Sequence, residues 1–157
     1  SSDVCSSDLS VRMTFSEIAG LLKSSGLRAT PQRIAVYEYL DTHRTHPTAD
    51  EIFASLVAQY PSFSRTTIYN SIRALEDAAL IQPVMIDGDF SRYDANTAPH
   101  AHFKCIRCCR VTDVFDCAWP PLPPSLAPYD TQRVMVHFYG VCPSCQSQTA
   151  LPSAKCP

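Results

Sequence analysis

SRTTIYNSIRALEDAALI, Ser64 to Ile81, is the stretch on which the fold turns. Ser64 can cap a helix, its side-chain oxygen taking an orphan N–H of the first turn. Ile68, Ile72, Leu75 and Leu80 supply an inward apolar stripe. Arg65, Thr66, Thr67, Tyr69, Asn70 and Arg73 fall off that stripe. Directly afterwards, Ile81 to Ile86, the dipeptide Asp87-Gly88 and Phe90 to Tyr93 read as a hairpin closed by a tight Asp-Gly turn. Pro83 cannot donate to a ladder, so its strand belongs at an edge.

The chain before Ser64 reads as three more helices. Phe15, Ile18, Leu21 and Leu22 recur at helical spacing, and Gly26 stands where a C-terminal cap belongs. Thr30-Pro31 is a cap followed by proline at the first helical position, with Ile34, Val36, Tyr37 and Leu40 as the buried side. Thr48 and Glu51 fit a capping box ahead of Ile52, Phe53, Leu56 and Val57. Short helices followed by an Asp-Gly hairpin predict a winged helix-turn-helix. The outward residues of the fourth helix then combine phosphate-seeking charge with groups able to read base edges. Polar helix faces are universal, so it is the helix order and the hairpin that favour DNA over an ordinary solvated face.

Composition bounds the rest. The chain has 157 residues, room for one domain or two small ones, and 45% are hydrophobic, enough for a packed core. No apolar run approaches the ~18 residues of a membrane span. The N-terminus shows no basic and apolar signal-peptide regions, so a cytoplasmic protein is expected. The net charge of -2 does not announce a nucleic-acid binder. However, SSDVCSSDL, Ser1 to Leu9, resembles the translation of a sequencing-adapter oligonucleotide. We read residues 1–12 as a non-native or disordered tail, with Met13 as the native start. Leaving out residues 1–9 alone removes Asp3 and Asp8 and brings the balance to zero, and Cys5 leaves with them.

The second half carries two C-x-x-C knuckles, Cys105-Ile-Arg-Cys108 and Cys142-Pro-Ser-Cys145, separated by 33 residues. Each puts two thiolates on one side of a turn, and two knuckles complete a closed tetrahedral zinc site. A closed site has no open position for substrate, so its role is structural. The competing reading is a redox dithiol pair. Cys109, Cys117 and Cys156 fall outside the pattern. Beside the first knuckle, alternation along a strand lets His100 and His102 reach one ion. Asp94, Asp113 and His46 are nearby in sequence or in motif, each an ordinary surface residue if taken alone. Mixed nitrogen and oxygen donors suit iron, manganese or zinc.

At this point the chain resembles the ferric-uptake-regulator family of bacterial metal-dependent repressors. The matching stretches are LRATPQRIAVYEYL (27–40), HPTADEIF (46–53), SRTTIYNSIRALEDAALI (64–81), SRYD (91–94), HAHFKCIRCC (100–109) and YGVCPSC (139–145). The resemblance implies an α+β fold: an N-terminal winged helix-turn-helix domain with hinge over 13–93 and a C-terminal α/β dimerisation domain over 94–157, the latter with the four-cysteine zinc site. It implies structural zinc at Cys105, Cys108, Cys142 and Cys145. It implies a regulatory Fe(2+) or Mn(2+), with Zn(2+) an alternative, at His46, Asp94, His100, His102 and Asp113. It makes Tyr69 a base-contacting residue, and the partners double-stranded DNA with a palindromic operator and a second copy of the chain.

Aspartate at 94 and 113 is similar to the peroxide-sensing branch, in which iron and peroxide oxidise ligand histidines and DNA is released. The corresponding targets are His46 and His100. Iron- or zinc-uptake regulators of the same family are the alternative. Two departures stand out. Cys109 replaces the glycine that usually follows the first knuckle. Pro120, Pro121, Pro123, Pro124 and Pro128 crowd a segment usually helical, so a helix there should be short or displaced. His137 and His43 read as structural or surface residues. From other classes, a zinc-ribbon thiol oxidoreductase leaves the recognition-helix face unexplained. A metallohydrolase needs a motif such as H-E-x-x-H, which the chain lacks. No enzyme and no small-molecule substrate are expected.

Overall fold

Local capping chemistry begins each of the four N-terminal helices. α1 (Phe15–Ser24) starts at Thr14, which forms a capping box with Glu17. α2 (Pro31–Thr42) starts at Thr30, α3 (Ala49–Gln59) at Thr48 with Glu51 as its capping-box partner, and α4 (Arg65–Asp77) at Ser64. Each cap satisfies N–H groups that would otherwise have no partner, typically contributing about 1 kcal/mol. Gly26, in the left-handed region at φ 78°, follows α1 as expected of a C-terminal glycine.

The computed structural model describes residues 12–118 and 120–147. Of the tail read at residues 1–12, residues 1–11 with Cys5 lie outside the described residues, as does Cys156. The chain divides into two compact units. One runs to Met85 and resumes over Ser91–Thr97; the other takes Ile86–Phe90 and the chain from Ala98 on. Asp94 therefore belongs to the first unit. No helix among the described residues is long and apolar enough to cross a membrane.

The core of the first unit is the meeting of the four helical stripes. Ile18, Leu22, Val36, Leu40, Ile52, Ile68, Ile72, Leu75 and Ile81 are all buried in one cluster. Phe15, at the first residue of α1, is exposed instead. The hairpin is present but wider than the tight turn expected. β1 (Gln82–Val84) and β2 (Arg92–Asp94) pair antiparallel, with Pro83 opposite Tyr93, in a two-stranded sheet. Met85 to Ser91 form the connection, and its middle belongs to the second unit. There Ile86 is buried, its carbonyl accepts the Tyr139 hydroxyl at 3.1 Å, and the Asp87 carboxylate pairs with the Lys104 ammonium. Burial of these groups overrides the local preference for a two-residue turn.

The second unit is built on a three-stranded sheet in the order β4-β3-β5. β3 (Ala101–Cys105) pairs antiparallel with β4 (Val111–Val114) and parallel with β5 (His137–Gly140). Between β4 and β5 the proline-rich segment forms a single 3-10 turn at Pro124–Leu126. This fits ring closure at successive prolines, which removes helix donors. A one-turn helix, α5 (Pro143–Gln146), carries the second knuckle.

Candidate functional site

The two knuckles meet. One sulfur from each of Cys105, Cys108, Cys142 and Cys145 lies within 4.8 Å of the others. The Cys108 and Cys142 sulfurs are 3.8 Å apart. A tetrahedron with Zn–S bonds of about 2.3 Å spaces its sulfurs by about 3.8 Å, so the donors fit zinc in kind, number and spacing. Burial pushes the Cys105 thiol up, but it is outweighed by backbone N–H groups of Cys108, Cys142 and Arg107 and by the Cys108 thiol. Together they bring it down to about 6. Cys145 is pushed up to about 12, first by the Cys142 thiol beside it and then by burial. A divalent cation would replace those shared protons. The first knuckle also costs something locally. Cys109 sits at φ 60°, a left-handed conformation suited to the glycine it replaces.

A second donor group lies on the same sheet. His102 on β3 stands directly across from Asp113 on β4. His100 immediately precedes β3. Its Nε2 lies 3.2 Å from the Asp113 Oδ1, and the His102 Nε2 lies 3.6 Å from the same oxygen. The Nδ1 of His100 is 2.7 Å from the Ala98 carbonyl. A carbonyl only accepts, so Nδ1 donates a hydrogen to it, and Nε2 is the ring nitrogen that faces Asp113. A metal-ligating histidine is oriented in this way. Both histidines are buried.

In the first unit, His46 and Asp94 form another pair, His46 Nε2 lying 3.7 Å from Asp94 Oδ2. Their elements are laced together. Tyr93 N donates to the Pro47 carbonyl at 3.0 Å, and Thr48 bridges Arg92. The buried Arg92 donates to the His46 carbonyl at 3.0 Å and lies 3.9 Å from Glu51. The other Asp94 oxygen accepts the Asn96 N–H at 2.8 Å. His46 itself is 1% exposed and sits at φ 52°. A buried, non-glycine residue in the left-handed region is an outlier of the kind that clusters at functional sites. Arg92 lies within the matching stretch SRYD, but its contact with the His46 loop becomes visible only in its burial there.

On α4, Arg65, Thr66, Tyr69, Asn70 and Arg73 are exposed, while Thr67 is half-buried. The Thr67 hydroxyl meets the Ser64 cap at 2.7 Å. Ile68, Ile72 and Leu75 are buried on the opposite side. A residue that the sequence reading did not single out enters here. Asp50, on α3, pairs with the Arg65 guanidinium, and its Oδ1 accepts the Tyr69 hydroxyl at 3.1 Å. Arg65 also stacks over the Phe53 ring at 4.9 Å.

The remaining candidates stand apart. His137 on β5 is half-buried beside His102, with ring centroids 5.9 Å apart, and is not among the metal ligands the resemblance implies. Burial, and then His102, hold its pKa below the ordinary imidazole value. His43 stacks on Tyr39 at the end of α2. Cys117 is a free thiol outside the zinc cluster.

Comparison with known proteins converges on one group. The model of the ferric uptake regulator family matches residues 24–123. The peroxide-responsive repressor PerR of Staphylococcus aureus (strain Mu50) is 33% identical over 145 residues, covering 88% of this chain and 96% of that protein. The Campylobacter jejuni peroxide stress regulator is similar in structure, with a TM-score of 0.58 and 26% identity over 82% of this chain and 99% of its own. The Helicobacter pylori ferric uptake regulator shares the fold, with a TM-score of 0.63 at 19% identity over 88% and 98% of the two chains.

Proposed function

The chain belongs to the ferric uptake regulator family, and on that premise we propose that it is a cytoplasmic metal-dependent repressor that releases DNA in response to peroxide. Residues 13–93 are the DNA-binding domain with its hinge, and residues 94–157 the metal-binding dimerisation domain. Cys105, Cys108, Cys142 and Cys145 hold structural zinc. His46, Asp94, His100, His102 and Asp113 hold the regulatory Fe(2+) or Mn(2+).

One observation carries this reading: two buried histidines aim Nε2 at the same Asp113 oxygen, on the sheet that also carries the thiolate cluster. The chain thus offers one donor set of sulfur alone and another of nitrogen and oxygen alone. The first suits zinc and the second suits iron or manganese. Likeness to peroxide-responsive relatives supports the sensing role.

The mechanism follows from where the donors sit in sequence. His46 comes from the DNA-binding domain, Asp94 from the hinge at the boundary, and His100, His102 and Asp113 from the dimerisation domain. A ligand shifts a conformational equilibrium only through differential affinity, so the ion must bind the DNA-competent arrangement more tightly. By linkage, operator DNA must tighten metal binding by the same factor. Ferrous iron, when bound, supplies the electron for peroxide reduction. The chain supplies imidazoles, His46 and His100, one of which would lose two electrons and take one peroxide oxygen, the other oxygen leaving as water. Loss of either donor frees the two sides from each other. In a two-fold homodimer, Arg65, Thr66, Thr67, Tyr69, Asn70 and Arg73 are presented twice, which calls for a palindromic operator.

The test is peptide mass spectrometry and DNA retention on iron-loaded and manganese-loaded protein treated with peroxide. We expect added oxygen on peptides containing His46 and His100, with loss of DNA, in the iron form only. Unmodified histidines with DNA retained would sink the peroxide reading and leave an iron- or zinc-uptake regulator.

A further inference from the structure

Asp50 stands in the first turn of α3, outside the recognition helix, with a carboxylate turned to the residues proposed to meet DNA. Its Oδ1 takes both the Arg65 guanidinium and the Tyr69 hydroxyl, the latter at 3.1 Å. Arg65 and Tyr69 are four residues apart, one helical turn, so one acceptor can serve both. The Phe53 ring, also on α3, lies under the Arg65 guanidinium at 4.9 Å and holds it from a second side. The Asp50 and Arg65 side chains are 61% and 59% exposed. An acid in the first turn of α3 gains modestly from the helix N-terminus, but that effect does not require a carboxylate paired to Arg65 and Tyr69, and exposed ion pairs contribute little to folding. A negative charge among groups that approach phosphates works against binding any DNA.

We infer that Asp50 is a positioning residue that sets DNA discrimination, an inference that rests on the DNA-binding reading above. In the free protein it occupies Arg65, which cannot then neutralise a phosphate without giving up its partner. It also holds the Tyr69 hydroxyl, so the ring is oriented before a base arrives. On random DNA the exchange of carboxylate for phosphate brings Arg65 no net charge contact, and the affinity stays low. On the operator, contacts from Tyr69, Asn70 and Arg73 to bases are added, and the orientation imposed by Asp50 is used. Asp50 thereby lowers non-specific affinity more than specific affinity.

The experiment uses full-length zinc- and manganese-loaded protein, a randomised duplex pool, and the duplexes the wild type selects from that pool. Affinities for selected and unselected duplexes are measured between 50 and 200 mM salt, in ranges set by the known behaviour of phosphate contacts. Asp50→Asn frees Arg65. The salt slope on unselected DNA should steepen by about 0.9 per engaged protomer, and the selected-to-unselected ratio should fall roughly threefold or more. Asp50→Glu should restore both values. In an Arg65→Gln background, Asp50→Asn should no longer change the slope. Should Asp50→Asn fail to fold, Arg65→Gln alone carries the test. On unselected DNA it lowers the slope by clearly less than about 0.9 per engaged protomer if Asp50 occupies Arg65, and by that full amount if Arg65 reaches a phosphate there; a full loss overturns the inference. An unchanged slope and ratio in Asp50→Asn overturns this inference while leaving the DNA-binding reading intact. If the wild type selects no sequence at all, both fall together.

Discussion

The Asp87–Lys104 pair invites a direct test of what holds the hairpin connection. Asp87 and Lys104 have side chains 1% and 10% exposed, and the ammonium pairs with the Asp87 Oδ1. Asp87 opens the Asp-Gly dipeptide and Lys104 lies within HAHFKCIRCC (100–109), but neither pattern announces that the two side chains pair. Replacing Asp87 by Asn keeps the shape but leaves a lysine charge in a dry site. Removing one partner of a buried ion pair costs about 3–5 kcal/mol. Lys104 ends a flexible stem with slight access to water, which favours the lower end, about 3 kcal/mol. That is roughly a hundredfold in the opening equilibrium. The assay is amide hydrogen exchange on zinc-loaded protein, read on β3, Ala101–Cys105. Its amides should lose roughly a hundredfold protection in Asp87→Asn. Lys104→Met should lose a similar amount. The double variant, with no charge left to bury, should recover most of the loss, because apolar replacements of buried pairs are often neutral. If Asp87→Asn loses less than about threefold, the pair is not a buried structural contact and the argument fails.

Cys105→Ser should abolish the structural zinc in metal analysis of purified protein and leave the second unit unfolded by circular dichroism, since structural zinc contributes about 10–16 kcal/mol to domains of this kind. Leu75 is fully buried on α4; Leu75→Ala should cost about 2–5 kcal/mol in urea unfolding through the cavity it leaves. Thr48→Ala should cost about 1 kcal/mol in the same measurement, since it removes the α3 cap and Glu51's partner. Tyr37 has a raised pKa, first from burial and then from Asp41. A raised folded pKa means its stabilising contribution is complete below the unfolded value of about 10 and is lost as pH rises through the folded value. Tyr37→Phe should therefore lessen alkaline destabilisation, followed as unfolding midpoint against pH; an unaltered alkaline limb would contradict this.

The local reading of the chain succeeded where the physics is local. Thr30 with Pro31, Thr48 with Glu51, and Ser64 announce helix starts because a cap oxygen and the backbone N–H that donates to it lie three residues apart. Gly26 announces a stop for a similar reason. The two knuckles are legible as a pair because each sets its own sulfur separation within four residues. Prolines between β4 and β5 likewise act on their own backbone, and among the described residues there a 3-10 turn is the one helical element.

What tertiary structure alone decided involves partners far apart in the chain. Strand register sets His102 across from Asp113, and a slip of one residue would turn Asp113 to the other face. The left-handed backbone of His46, and the lacing of its loop to β2 through Arg92, depend on packing that no motif encodes. The tight Asp-Gly turn gave way because Asp87 found Lys104, 17 residues on. Asp50 reached Arg65 only once α3 and α4 had packed. Sequence by itself therefore determined which helices form, where they begin, and which residues could bind metal or DNA. Which of those side chains face one another was settled by register and burial, because contact energies between distant residues exist only after the chain has folded.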